Sequence, residues 1–257
     1  MNRLFVPRRP KRPEGLAKMP LWFFFAMEDG MHIPDGYLSP QTYVPLYGAS
    51  AAFWAVALRK IKKNLSHKHV PYLAMSAAFS FLIMMFNIPV PGGTTGHAVG
   101  AGIIGILLGP WSAVLAVSVV LIIQAIIFGD GGITAIGANC LNMAAVMPFV
   151  SYWTFKIIKG KQGTGSRLYI AAFLAGYVGL SAAALMTGIE FGIQPIIASG
   201  ADGRPLYAPY PLSVAVPAMM AGHLAIFGII EGLVTVLILR YFMKNEPESV
   251  FAMRTGA

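Results

Sequence analysis

Two histidines far apart in the chain could bind a transition metal together. His32 follows Met31, and a free α-amine on Met31 would allow three nitrogens to close two fused chelate rings around one ion. These nitrogens are the amine, the His32 amide and the His32 imidazole. One further imidazole completes a square-planar set of four nitrogens, which suits Ni(II) or Cu(II). If Met31 instead lies inside a longer chain, its nitrogen is a peptide amide and His32 is an ordinary single histidine.

The candidate fourth nitrogen belongs to His97, which ends a segment rich in proline and glycine. The segment reads Pro89-Val90-Pro91-Gly92-Gly93-Thr94-Thr95-Gly96-His97. Its prolines and glycines exclude a regular helix, and its glycines let the backbone approach a ligand or another segment closely. A histidine capped by local hydroxyl groups is the alternative interpretation. His67 and His69 belong to a basic loop, where we expect solvated side chains.

Two amide side chains, Asn139 and Asn142, are candidates for orienting these ligands, because they lie one helical turn apart. Amides at membrane depth are costly unless they are paired, and a ligating imidazole usually donates its second N–H to a polar partner. Hydrogen bonding between helices explains the two asparagines equally well. Asp35 and Thr95 complete the set of candidate orienting residues.

Three more polar residues in apolar runs have open roles. His223 and Glu231 are eight residues apart in the last run, two turns along a similar helix face. A glutamate inside a membrane is a functional candidate, but a buried structural hydrogen bond explains it as well, because the sequence identifies no partner. Gln124 is interpreted like the two asparagines, with a weaker connection to the site.

The composition predicts that a lipid bilayer surrounds these residues. Of the 257 residues, 56% are hydrophobic and 11% are charged, whereas about 25% are charged in a typical soluble domain. The net charge of +9 is strongly segregated along the chain, so we expect no nucleic-acid partner. The single cysteine, Cys140, excludes an intrachain disulfide.

Seven apolar runs are candidate membrane-spanning segments, so the sequence predicts an all-α, multi-pass helical bundle. The runs cover residues 41–58, 70–90, 97–108, 111–128, 133–157, 168–188 and 212–240. As a helix the third run is only about 18 Å long, too short to cross a hydrocarbon core about 30 Å thick. The segment from Asn87 to His97 must therefore dip into the protein to meet it.

The basic residues predict the orientation of this bundle. With seven spans, twelve of them fall on one face: Arg59, Lys60, Lys62, Lys63, Lys68, Lys156, Lys159, Lys161, Arg167, Arg240, Lys244 and Arg254. The opposite face carries Arg204, Asp35, Asp130, Glu190 and Asp202. The positive-inside rule makes the first face cytoplasmic. In the cell (inner) membrane, Met31, His32 and His97 then lie outside and the C terminus lies in the cytoplasm.

Residues 1–30 form a basic N-terminal extension in front of a domain that covers residues 31–257. Six cations precede a short apolar run at residues 20–27, a pattern typical of a signal peptide. Glu28 and Asp29 stand where a cleavage site needs small residues. Three explanations stay open: a misassigned start with Met31 as the true initiator, a cleaved signal-like segment, and a retained disordered extension.

Small side chains form one face of the first apolar run. This face consists of Gly48, Ala51, Ala52 and Ala55. Small residues let a second helix approach closely inside a membrane. We therefore expect another helix to pack here, either from this chain or from a partner subunit.

Three separated motifs, in the same order, resemble those of the CbiM/NikM family over most of residues 31–257. They are Met31-His32-Ile33-Pro34-Asp35-Gly36-Tyr37-Leu38-Ser39-Pro40, Pro91-Gly92-Gly93-Thr94-Thr95-Gly96-His97, and a stretch from Gln124 through Asn139 to Asn142-Met143. Members of that family are substrate-capture subunits of energy-coupling-factor importers for cobalt and nickel. The resemblance implies that Met31, His32 and His97 supply the metal ligands. Residues 1–30 depart from it, since retaining them would remove the amine ligand.

The resemblance implies a transport subunit rather than an enzyme, with Ni²⁺ or Co²⁺ as the transported ion and no cofactor. The sequence contains no Gly-x-x-x-x-Gly-Lys phosphate loop. We therefore expect cytoplasmic ATPase partners, a transmembrane coupling subunit, and any small accessory membrane subunit as a separate chain. A stand-alone metal carrier or channel is the alternative. An intramembrane metalloenzyme is disfavoured, because no His-Glu-x-x-His motif occurs.

Overall fold

The computed structural model describes residues 32–64, 69–90, 94–161 and 164–245, and they are mostly helical. The helices are α1 Pro40–Asn64, α2 His69–Met84, α3 Ala101–Leu108, α4 Pro110–Phe128, α5 136–159, α6 Ser166–Gly192, α7 Gln194–Ile197 and α8 Leu212–Asn245. Residues 1–30 and Met31, and with them the predicted N-terminal extension, lie outside the described residues. The expected helical membrane bundle is confirmed.

Three helices in the described part of the chain are long and apolar enough to cross a membrane on their own. They are Pro110–Phe128, Ser166–Ile197 and Leu212–Asn245, the second of which includes α7. Helix α2 is apolar but shorter, at 16 residues. Each predicted apolar run contains a helix, although the second also includes Ile88–Val90, which form a strand, and the third helix begins four residues later than predicted, at Ala101.

The third apolar run is a short helix enclosed by protein. Helix α3 has eight residues, and all except Leu108 are buried. Gly102 packs against Ser151 of α5, and Gly105 packs against Pro148 of the same helix. The expectation that this run cannot span a bilayer by itself agrees with its position between other helices.

The segment before α3 forms a β-hairpin, which the prediction of an all-α fold omitted. Strand β1, Ile88–Val90, pairs antiparallel with β2, Thr94–Gly96. Ile88 lies opposite Gly96 and Val90 opposite Thr94. The hairpin tolerates Pro89 because an isolated pair of strands has outer edges that need no backbone donor. It leads directly into His97.

Helix α6 is the central element of the bundle, and it packs against both α5 and α8. A methyl group at Gly179 would lie 2.0 Å from the Ser151 hydroxyl of α5, and one at Gly176 would lie 2.8 Å from the backbone oxygen of Glu231 on α8. Close packing of this kind stabilises helix bundles in lipid, where the solvent is as apolar as the side chains. These contacts fix α5, α6 and α8 closely against one another.

Candidate metal site

The segment that carries His32 is bound to the start of α5 by backbone contacts. The N–H of Ile33 donates to Oδ1 of Asn139 at 3.0 Å, and Nδ2 of Asn139 donates to the Ile33 carbonyl oxygen at 3.1 Å. The N–H of Gly132 donates to the same carbonyl at 2.9 Å. These bonds hold His32 inside the protein, where only 3% of its surface is exposed.

Glycines in the turn between α4 and α5 let the His32 segment approach so closely. Gly131 has φ +92°, in the left-handed region that disfavours side chains, and an added methyl group would lie 3.0 Å from Cβ of His32. At Gly132 a methyl group would lie 2.3 Å from the backbone nitrogen of Asp35. The Gly-Asp-Gly-Gly turn therefore forms the surface on which residues 32–35 rest.

Asp35 fastens the other side of this loop. Its carboxylate accepts hydrogen bonds from the N–H of Ile133 at 3.1 Å and from the N–H of Thr134 at 2.8 Å, as well as from the Thr134 hydroxyl. Burial raises the pKa of the Asp35 carboxyl, but the Thr134 and Ile133 hydrogen bonds outweigh this effect, so the pKa lies below 3.8. The ionised side chain thus ties the loop to α5.

His97 lies in the connection between β2 and α3, facing His32. Its ring centroid is 5.3 Å from that of His32, with an angle of 76° between the two ring planes. Nδ1 of His97 lies 3.0 Å from the Ala98 carbonyl oxygen, so it carries the proton and Nε2 keeps a free lone pair. Nε2 of each histidine is buried and has no hydrogen-bond partner in the described part of the chain.

This pair of rings fits a transition metal ion. With metal–nitrogen distances of about 2.0 Å, two ligating imidazoles have centroids roughly 4.4 Å apart in cis positions and roughly 6.2 Å apart in trans. The observed 5.3 Å lies between these limits. A buried nitrogen without a partner is costly, and a metal ion bound to Nε2 of His97 would satisfy this one.

The orientation of the His32 ring constrains how a chelate can form. Nδ1 lies 3.4 Å from the Asp130 carbonyl oxygen and 3.3 Å from its Oδ1. A chelate that includes the His32 amide nitrogen uses Nδ1, because this nitrogen closes a six-membered ring. Metal binding through Nδ1 would therefore replace its contact with Asp130.

The remaining predicted orienting residues have different surroundings. Asn142 donates to the Thr187 hydroxyl oxygen at 3.2 Å and to Oε2 of Glu190 at 2.8 Å, which are hydrogen bonds between helices. Glu190 is buried near the C-terminal end of α6. Thr95 lies on β2, and its side chain is outside the described part, as is the whole of Met31.

Gln124 and the small-residue face of α1 have contrasting exposure. Gln124 is completely buried at the start of the π-helical turn that ends α4. Gly48, Ala51, Ala52 and Ala55 are all exposed along α1. An added methyl group at Gly48 would meet no atom of the described chain within 4 Å.

Gln194, which no sequence pattern singled out, anchors the beginning of α1. Its Oε1 accepts the N–H of Ser39 at 2.9 Å, and its Nε2 donates to the Thr42 hydroxyl oxygen at 2.9 Å and to the Glu190 carbonyl oxygen. Ser39 and Gln194 are 155 positions apart. The only sequence signal was a glutamine beside a long apolar run.

Comparisons with known proteins identify the family. The cobalt uptake substrate-specific transmembrane region, CbiM, matches residues 32–249. The chain is 54% identical over 228 residues to the fused nickel transport protein NikMN of Rhodobacter capsulatus, covering 88% of this chain and 66% of that longer protein. It is 29% identical over 241 residues to the cobalt transport protein CbiM of Ruminiclostridium cellulolyticum, covering 93% of each.

Solved structures show the same fold. The crystal structure of a transition metal transporter superimposes with a TM-score of 0.78 at 45% identity, covering 87% of this chain and 99% of that one. A truncated transition metal transporter gives a TM-score of 0.77 at 46% identity over 83% of this chain. Together with the match to residues 32–249, these similarities show that the chain belongs to the CbiM family of cobalt and nickel transport proteins.

Proposed function

We propose that this protein is the metal-capturing subunit of an energy-coupling-factor importer for nickel or cobalt. The ion binds at the outer end of the bundle to the α-amine of Met31, the amide and imidazole nitrogens of His32, and the imidazole of His97. The observation that carries the proposal is the pair of facing, buried imidazoles, whose centroids are 5.3 Å apart and in which Nε2 of His97 has no hydrogen-bond partner in the described part of the chain. Four nitrogens in a plane suit low-spin Ni(II), and Cu(II) binds such a set more tightly still.

The proposed topology has seven passes across the inner membrane, with the metal site outside and the C terminus in the cytoplasm. The basic ends of α1, α5 and α8 support it, since the positive-inside rule assigns them to the cytoplasm. Lys156 and Lys159 end α5 opposite the Asn139 end that contacts the His32 segment. Capture therefore occurs outside and delivery inside.

The energy for transport comes from partners: a transmembrane coupling subunit and cytoplasmic ATPase subunits, with a small accessory membrane subunit as a further candidate. The exposed face of Gly48, Ala51, Ala52 and Ala55 on α1 supports a close contact with a partner helix. Metal uptake by cells that produce this chain alone, compared with cells that also produce the ATPase and coupling subunits, tests this dependence. Full uptake by the chain alone would instead indicate a stand-alone carrier.

The amino terminus is the decisive test of the metal site. A peptide nitrogen at Met31 has no basic lone pair, so we propose that the working chain begins there. A chain that begins at Met31 should bind Ni(II) with the yellow d–d absorption of a planar diamagnetic complex. Inserting one alanine between Met31 and His32 places the histidine third, where the amine, two amides and the imidazole can fill all four planar positions, so Ni(II) binding should then no longer depend on His97.

The control for that experiment is the full chain with residues 1–30 verified by N-terminal sequencing. The proposal expects weak binding by this form. Equal affinity of the full chain and the chain that begins at Met31 would exclude the amine as a ligand. The site would then consist of His32, His97 and side-chain donors.

A further inference from the structure

A fully buried glutamate on α8 holds the backbone next to His97. Glu231 has no exposed surface. Its Oε2 accepts the N–H of Val99 at 2.8 Å, and both of its carboxylate oxygens lie 3.1 Å from the N–H of Gly100. These two amides follow His97 by two and three residues, so a single carboxylate from a distant helix holds the chain immediately after the ligand.

The same helix also holds the chain immediately before His97. Phe227, one turn before Glu231, packs its ring on Gly96, where an added methyl group would lie 1.9 Å from the ring carbons. Phe227 ends the π-helical turn His223–Phe227 of α8. Contacts from α8 therefore lie on both sides of His97.

The backbone at this point needs such support. Gly100 has φ +73° and precedes the first residue of α3, so the chain turns sharply between His97 and the helix. The imidazole makes one local hydrogen bond, from Nδ1 to the carbonyl of Ala98. The position of Nε2 consequently depends on where residues 97–100 are held, and charge-assisted hydrogen bonds from buried amides are among the stronger ways to hold a backbone.

We propose that Glu231 is a positioning residue for metal binding. It fixes residues 97–100 so that Nε2 of His97 faces His32, and it makes the geometry of the metal site depend on α8. This inference rests on the proposed function, since it assumes that His97 is a ligand. Glu231 acts only through the backbone and does not touch the ion.

The test compares Glu231→Gln with Thr235→Val in the membrane-purified protein that carries its native amino terminus. Glutamine keeps the size of the side chain but turns an N–H donor toward a backbone amide, so one hydrogen bond is lost. Thr235 is equally buried one turn further along α8, and its hydroxyl has no hydrogen-bond partner in the described part of the chain. Thr235→Val therefore controls for a change inside the same helix.

Cu(II) is the probe, because its tight binding keeps weakened variants measurable. Changes around a ligand typically cost about 10–100-fold in metal affinity, and we expect Glu231→Gln to fall in this range while Thr235→Val stays within about 2-fold of the unsubstituted protein. Electron paramagnetic resonance should count one equatorial nitrogen fewer in part of the Glu231→Gln population. In a His97→Ala background, Glu231→Gln should have no further effect, since non-additivity marks residues that act through one another.

Three outcomes would overturn the inference. One is unchanged affinity of Glu231→Gln, and another is an equal loss of affinity with and without His97, which indicates a general effect on folding. Absence of Cu(II) binding by the unsubstituted protein would overturn the proposed function and the inference with it. If Glu231→Gln does not fold, Phe227→Leu removes the ring above Gly96 and must lower the affinity in the same His97-dependent way.

Discussion

At the scale of single residues, the imidazole of His97 has one nitrogen occupied and one available. Nδ1 bonds the Ala98 carbonyl and Nε2 has no partner in the described part of the chain. A lone pair held this way is suited to a metal ion, because the second N–H of a ligating histidine is usually fixed by such a bond. The tautomer required for binding is thus present before the ion arrives.

We expect His97→Ala to abolish Ni(II) binding in isothermal titration, with a loss beyond the roughly 10–100-fold typical of residues that only support a ligand. Truncation removes one of the four proposed nitrogens. His69→Ala is the control, because His69 begins α2, outside the loop that carries His97. Equal losses in the two variants would show that the wrong histidine has been assigned to the site.

At the scale of elements, the loop before α1 is docked onto the turn between α4 and α5. Ile33 of the loop is hydrogen-bonded to Asn139 of α5 and to Gly132 of the turn before it. Asp35 of the loop accepts a hydrogen bond from Thr134 in the same turn. Three π-helical turns occur in the described chain: Gln124–Phe128 ends α4, Cys140–Val146 follows Asn139 inside α5, and His223–Phe227 lies inside α8. Such turns often occur at functional sites, and the last of them contains Phe227, whose ring packs on Gly96 beside His97.

Asp35→Ala should weaken the docking of this loop by about 1 kcal/mol, because the charged hydrogen bonds are partly exposed to solvent. The pKa of Asp35 is lowered in the folded protein, so its contribution is complete above the unfolded value of about 3.9 and is lost as the pH falls through the folded value. Thermal unfolding should therefore show the same difference from the unsubstituted protein at pH 7 and pH 5. Asp202→Ala, which removes an exposed carboxylate paired with Arg204, is the control. A difference that vanishes between pH 7 and pH 5 would contradict this assignment.

At the scale of the whole molecule, the orientation can be tested with thiol labelling. The only native cysteine, Cys140, is buried, so a membrane-impermeant maleimide should not label the unsubstituted protein in intact cells. We expect Arg204→Cys to be labelled from outside and Lys161→Cys to be labelled only after the membrane is opened. Labelling of both sites in intact cells, with the membrane verified as closed, would contradict the proposed topology.

If the small-residue face of α1 contacts a partner helix, a substitution on this face should impair metal transport without impairing metal binding. Ala52→Leu places a larger side chain on this exposed face and should prevent close packing of a partner helix. Metal binding by the purified chain should be unchanged, while copurification with the coupling subunit and metal uptake should fall sharply. Val119→Leu, on the exposed side of α4, is the matched control and should leave uptake intact. Normal metal uptake by Ala52→Leu would show that the partner subunit does not bind this face of α1.

The sequence alone was sufficient for the approximate positions of the helices, the membrane class and the family, and it also yielded the ligands, which stay a prediction. Each of these depends on local information: a run of apolar residues long enough for a helix, basic residues at its ends, and a histidine in a proline- and glycine-rich segment. That the third run cannot cross a bilayer alone also followed from its length, since about 12 residues form a helix only about 18 Å long. These features need no knowledge of which helices touch.

The partners of the polar residues were decided by the tertiary structure. Ile33 and Asn139 are 106 positions apart, Asn142 and Glu190 are 48 apart, and Gly100 and Glu231 are 131 apart. An isolated asparagine or glutamate in an apolar run signals that some partner exists, because an unpaired polar group in lipid is costly. Which partner the residue meets depends on how the helices pack. The packing depends on glycines and other small residues, which matter only where two segments distant in sequence come into contact. The structure therefore turns three unexplained polar residues into one contact that docks the His32 loop, one pair that joins helices, and one carboxylate that holds His97.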